Sequence, residues 1–183
     1  MFYIKAPKHI EKYFACNIGC KNIETPSLSI SDIALIDGYL SDISFSICRG
    51  WPRKSTSSPD VDVYIRNLIR NNYYIAAIGE VIFIFDELLS QDKNKSNIEF
   101  LPKSGFAWTA QIAKEVFKKD VFIFDTNTKK WYDYFYQEEI SCDEIIEDVL
   151  YNKYKDFVFL ASGSVKLNAN VREEIKNLFS LER

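Results

Sequence analysis

The stretch from Leu101 to Asp125 sets the strongest limit on how this chain can fold. Ser104 and Gly105 form a small-residue turn. After it Ala110, Ile112, Ala113, Val116 and Phe117 recur near the helical period, which predicts a helix. Lys118 and Lys119 close that helix, where its dipole favours cations. Directly afterwards, Val121 to Phe124 is apolar without a break and ends on Asp125. A run this short, rich in β-branched and aromatic side chains, predicts a strand buried on both faces. Turn, helix and buried strand make one unit of a parallel α/β sheet. In such a sheet the helix N-terminus faces the carboxyl edge of the strands, where ligands bind. The sequence therefore locates a site before it names a reaction.

Composition narrows the class. At 183 residues the chain is read as a single domain, residues 1–183, with residues 1–12 as an edge strand or N-terminal arm. A hydrophobic share of 47% against 27% charged residues supports a packed core and argues against disorder. The 14 Phe and 11 Tyr exceed what one core of this size needs, so some are expected to line a surface or pocket. A net charge of −3 gives no long-range attraction to nucleic acid, which is not expected as a partner. No stretch reaches the roughly 18–20 apolar residues of a membrane span. The start, Met-Phe-Tyr-Ile-Lys, lacks the order of a signal peptide, so a cytoplasmic location is expected. Cys16, Cys20, Cys48 and Cys142 form no C-x-x-C pair, and His9 is the only histidine. Reduced thiols, no metal and no cofactor are the expectation.

Along the chain, Tyr13–Gly19 reads as the first core strand and 20–27 as a loop. A helix follows, capped by Ser29 or Ser31, with Ile33, Leu35, Ile36 and Leu40 on its inner face. Ile43–Cys48 alternates as a strand. The turn-rich stretch from Arg49 to Asp60 mixes three cations with hydroxyls, Gly50 and Trp51, the composition of a binding loop. Pro59 and Asp60 start a helix whose predicted buried stripe is Val63, Ile65, Leu68 and Ile69, and which 71–79 extends. Glu80–Phe85 is a core strand ending at Asp86, and 88–100 a surface loop. Residues 126–130 form a turn, and Trp131–Tyr136 a hairpin partner or extended edge segment. A short helix over 143–151, a buried strand over 157–161, and a helix over 168–181 carrying Val171, Ile175, Leu178 and Phe179 complete the α/β pattern.

Three blocks carry a family resemblance. Ser104-Gly105-Phe106-Ala107-Trp108-Thr109-Ala110-Gln111, then Val121 to Asp125, then Lys130-Trp131-Tyr132, resemble the Gly-Gly-Thr-Ala/Gly-Trp-Ala-x-Gln, apolar strand and Lys-x-Trp-Tyr/Phe series of phage and prophage members of the SLOG superfamily. That group also includes the lonely-guy phosphoribohydrolases and DNA-processing protein A. Upstream, Arg70-Asn71-Asn72-Tyr73-Tyr74 and Val81 to Phe85 look similar to the same group, as do Phe159 to Glu174 downstream. In the first half, Asn17-Ile18-Gly19-Cys20-Lys21 and Ser46-Ile47-Cys48-Arg49-Gly50 stand where many members have Gly-Ile-Gly-Ser-Arg and Ser-Gly-Gly-Ala. Arg49 replaces one glycine there. The resemblance implies a three-layer Rossmann-like sandwich around a central, mostly parallel sheet. It also implies a nucleotide-like small molecule as partner.

The same alignment limits the chemistry. Where lonely-guy hydrolases have a working glutamate, this chain has Gln111, which cannot exchange a proton. No catalytic residue is assigned. What the resemblance leaves is binding: amides of Ser104, Gly105, Phe106 and Ala107 cradling a phosphate, Trp108 and Gln111 meeting a base, Arg49 and Gly50 assisting from the neighbouring loop, and Asp125 holding a ribose hydroxyl or capping its own turn. Two rival functions stay open. An enzyme of the N-glycosidic bond, a hydrolase or deoxyribosyl transferase, requires Glu80, Asp86 or Glu115 to point at the 104–107 turn. A protein-interaction module with a degenerate pocket requires Phe106 or Trp51 to plug the cleft. Trp131, Tyr132, Tyr134 and Tyr136 read as sheet packing or an interface, with a base-stacking platform as the alternative, and a homodimer is left open as a partner.

Overall fold

The computed structural model describes residues 3–4, 21–22, 29–42, 59–89, 100–147, 158–162 and 169–179. The elements are β1 (Tyr3–Ile4), β2 (Lys21–Asn22), α1 (Ile30–Asp42), α2 (Pro59–Ile78), β3 (Val81–Asp86), α3 (Phe106–Ile112), β4 (Asp120–Asp125), β5 (Lys130–Asp133), β6 (Glu138–Ile140), α4 (Cys142–Glu144), β7 (Val158–Ser162) and α5 (Ala169–Phe179). Among the described residues the strands form one mixed sheet in the order β2-β1-β7-β3-β4-β5-β6. Pairings from β2 through β4 are parallel, and those of β4 with β5 and β5 with β6 are antiparallel.

The two central strands explain the sheet. Register pairs Ile82 with Val121, Phe83 with Phe122, Ile84 with Ile123, Phe85 with Phe124, and Asp86 with Asp125. Paired residues of parallel strands share a face and successive residues alternate, so one face is aliphatic and the other aromatic. All of these side chains are buried, as expected for strands covered on both sides. On the aliphatic face Ile82, Ile84, Val121 and Ile123 pack with Ile69 and Ala76 of α2 and with Ala107, Trp108, Ala110 and Ile112 of α3. On the aromatic face Trp131 of β5 is the hub, with ring centroids 6.0 Å from Phe83, 5.5 Å from Phe85 and 5.3 Å from Phe124. Such pairs contribute about 0.5–1.5 kcal/mol each beyond area burial. Among the described residues Phe83, Phe85, Phe122, Phe124, Tyr132 and Tyr134 are buried, whereas Tyr136 stays exposed at a hairpin tip. The indole of Trp131 donates to Glu174 Oε1 at 2.6 Å, which brings α5 to this face.

The crossover from β3 to β4 runs through α3, whose last turn widens into a π-helical turn at Ala113–Phe117. Lys118 then adopts a left-handed conformation, φ 53°, that stops the helix. Lys119 donates its ammonium to the carbonyls of Ala76 and Ala77, capping the C-terminus of α2, and burial holds its pKa below the usual lysine range.

Several expectations are corrected. In α1 Ile36 of the predicted inner face is buried, while Ile33 is partly exposed and Leu35 is 73% exposed. In α2, Val63 and Leu68 face outward, and the buried line is Ile69, Asn72 and Ala76. The reason is that α2 continues to Ile78 and meets α3 along its C-terminal half, where the small residues of α3 let the helices approach. Tyr3–Ile4, read as an edge or arm, pairs on both sides, with Lys21–Asn22 and with Val158–Phe159. Lys21–Asn22, expected in a loop, is itself a strand. The extended segment from Trp131 ends at Asp133, where Tyr134–Gln137 turn into β6. The predicted strands at 13–19 and 43–48 lie outside the described residues. No helix among the described residues is long and apolar enough to cross a membrane.

Candidate functional site

The parallel strands β3 and β4 both end on aspartate, and these two acids organise the edge above them. Asp86 and Asp125 are register partners, 1% and 3% exposed. Asp86 Oδ1 accepts the Glu87 N–H at 2.9 Å and Oδ2 accepts the Ser104 N–H at 3.0 Å. Asp125 Oδ1 accepts from the amides of Leu88 and Asn127, at 3.3 and 3.1 Å. Its Oδ2 accepts from the amide and hydroxyl of Thr128, at 3.2 and 2.7 Å. A buried carboxylate is tolerable only when donors of this kind surround it. Asp125 is therefore a turn-capping acid that also holds the chain leaving β3.

The segment between β3 and α3 is pinned at both ends. Leu88 and Pro102 form an antiparallel bridge, with Leu89 N–H donating to Leu101 O at 2.9 Å and Lys103 N–H to Glu87 O at 2.8 Å. An exposed Lys103–Glu87 ion pair lies beside them. This neck delivers Ser104 to Asp86 and starts α3 over the carboxyl ends of β3 and β4. From the other side, Asn72 of α2, 2% exposed, donates its side-chain amide to Gly105 O at 3.0 Å.

The turn itself is tightly wound. Phe106 N–H reaches Ser104 Oγ at 3.3 Å, Ala107 N–H reaches Ser104 O at 3.2 Å, and Trp108 N–H reaches Gly105 O at 3.2 Å. The last two are long contacts of the 3₁₀ type common at helix starts. Gly105 has φ −59°, which any residue adopts, and an added Cβ would only touch Leu68 Cδ2 at 3.5 Å. Neither strain nor space requires glycine here.

The expected site residues are placed as follows. Ser104, Gly105 and Phe106 lie together on the carboxyl edge, with Asp125 linked to them through Leu88 and Asp86. Ala107 and Trp108 sit in the aliphatic core, Trp108 being 9% exposed, and Phe106 packs against the same core. Gln111 is 1% exposed and donates to Glu115 Oε1 at 3.1 Å. Its Oε1, like Thr109 Oγ1, has no hydrogen-bond partner among the described residues. Arg49 and Gly50 lie outside the described residues, as does Trp51. Of the three carboxylates a glycosidic enzyme could use, Asp86 points at the turn, while Glu80 and Glu115 are exposed.

Asn72 was not expected. Its signal is a polar residue three after Ile69 and four before Ala76, both fully buried. A polar residue on a helix's buried line must find a partner, and this one finds the turn.

Comparison with protein families, with curated proteins and with solved structures finds no match to the chain.

Proposed function

We propose that the chain is a SLOG-type protein of phage or prophage kind that binds a nucleotide or nucleotide derivative in the cytoplasm, built as a three-layer Rossmann-like sandwich. The layers would be α2 with α3, the sheet, and α5. This reading is supported by the aliphatic and aromatic faces each having a helix against them.

One observation carries the location. The crossover between adjacent parallel strands starts α3 over their carboxyl ends, with Ser104 N–H held at 3.0 Å by Asp86. Ligands of open α/β sheets bind at that edge. The charge of Asp86 opposes a phosphate at Ser104 but accepts hydroxyl donors. In the proposed pose the sugar hydroxyls therefore lie toward Asp86. The phosphate takes the amides of Phe106 to Trp108, whose internal bonds are long. Catalysis is not part of this proposal.

A thermal-shift series against AMP, ADP, ADP-ribose, cyclic ADP-ribose, NAD and nucleoside monophosphates tests it. Ligand at about 100 times its dissociation constant stabilises a fold by about 2.7 kcal/mol, a shift of several degrees. The shift should vanish in Gly105→Asp, which the backbone tolerates and which adds an anion at the turn. No shift with any compound would overturn the proposal.

A second reading is favoured by Asp86 alone. A carboxylate at the turn is what an enzyme acting on an N-glycosidic bond requires. Release of free base from a nucleoside or nucleotide, abolished in Asp86→Asn, would support that reading. Binding without any release of base would count against it.

A further inference from the structure

We draw no further inference here: the strongest candidate, the pair of buried side-chain oxygens Thr109 Oγ1 and Gln111 Oε1 on α3 that lack a partner among the described residues, belongs to the helix of the site already proposed, and nothing in the structure shows what would reach them.

Discussion

Replacing Asp86 with asparagine tests the geometry of the strand-end edge most sharply. In the native site one carboxylate oxygen takes Glu87 N–H at 2.9 Å and the other takes Ser104 N–H at 3.0 Å. Asparagine keeps one acceptor and turns the other into an NH₂. That group would face the Ser104 N–H donor to donor, or the Glu87 N–H if the amide flips. At 1% exposure water cannot take over the lost bond. A hydrogen bond to a charged group is worth about 1.5–3 kcal/mol, and an orphaned buried donor costs about 1–3 kcal/mol. Removing one of two adjacent buried negative charges relieves repulsion with Asp125 and offsets part of this. The net expectation is a loss of about 2–3 kcal/mol, or about 5–10 °C in Tm for a chain of this length. Urea unfolding followed by tryptophan fluorescence should show a lower midpoint at unchanged slope, because the surface exposed on unfolding is the same. Amide exchange at Ser104 should accelerate as well. A midpoint within about 0.5 kcal/mol of wild type would refute the claim that Asp86 holds the turn.

Three further perturbations test the turn and two groups at the opposite end of the sheet. Burial raises the pKa of Asp133, whose Oδ1 accepts from the amides of Phe135 and Tyr136 at 2.7 and 3.0 Å. A carboxyl with a raised folded pKa binds its proton more tightly in the fold. Its contribution is greatest below the unfolded pKa and is lost as pH rises through the folded pKa. Asp133→Asn keeps the accepting oxygen and should flatten that part of the stability–pH curve without lowering stability at neutral pH, as measured by urea midpoints across the acid range. Gly105→Ala should leave the fold intact or stabilise it by about 0.4–1 kcal/mol, because the native φ of −59° suits alanine. A calorimetric Tm well below wild type would show that the glycine is needed by the turn itself. Lys119→Met removes two hydrogen bonds to the last carbonyls of α2 and should cost about 1–2 kcal/mol, read as a lower denaturation midpoint.

The sheet centre was legible because its signal is local. Val81–Asp86 and Val121–Asp125 are short apolar runs ending on acids, and no other structure buries such a run on both faces as readily. Trp131 to Asp133 was legible as a hairpin partner for the same reason, since a turn directly precedes it. The buried side of α2 was legible at Ile69 but not beyond it. Its apolar residues lie in both halves, and only the position of α3 decides that Ile69 and Ala76 go inside while Val63 and Leu68 do not. Tertiary contact, absent from a helical period, settles that choice.

The site was legible in position and less so in detail. Ser104 and Gly105 announce a turn, but the partners that hold it, Asp86 and Asn72, are remote in sequence. Asp125 could equally have faced a ligand or its own turn by its position at a strand end. The tetrad of donors from Leu88, Asn127 and Thr128 decides for the turn, and one of those residues comes from a different strand's exit.

The most direct test of a ligand at this edge is an amide-resolved NMR titration of the whole chain with the nucleotide panel. The account predicts saturable shifts centred on Ser104 to Trp108, with a smaller one at Glu87, whose amide shares the acceptor Asp86 with Ser104. Those shifts should be absent in Gly105→Asp. Saturable shifts centred elsewhere, or none with any nucleotide, would contradict it.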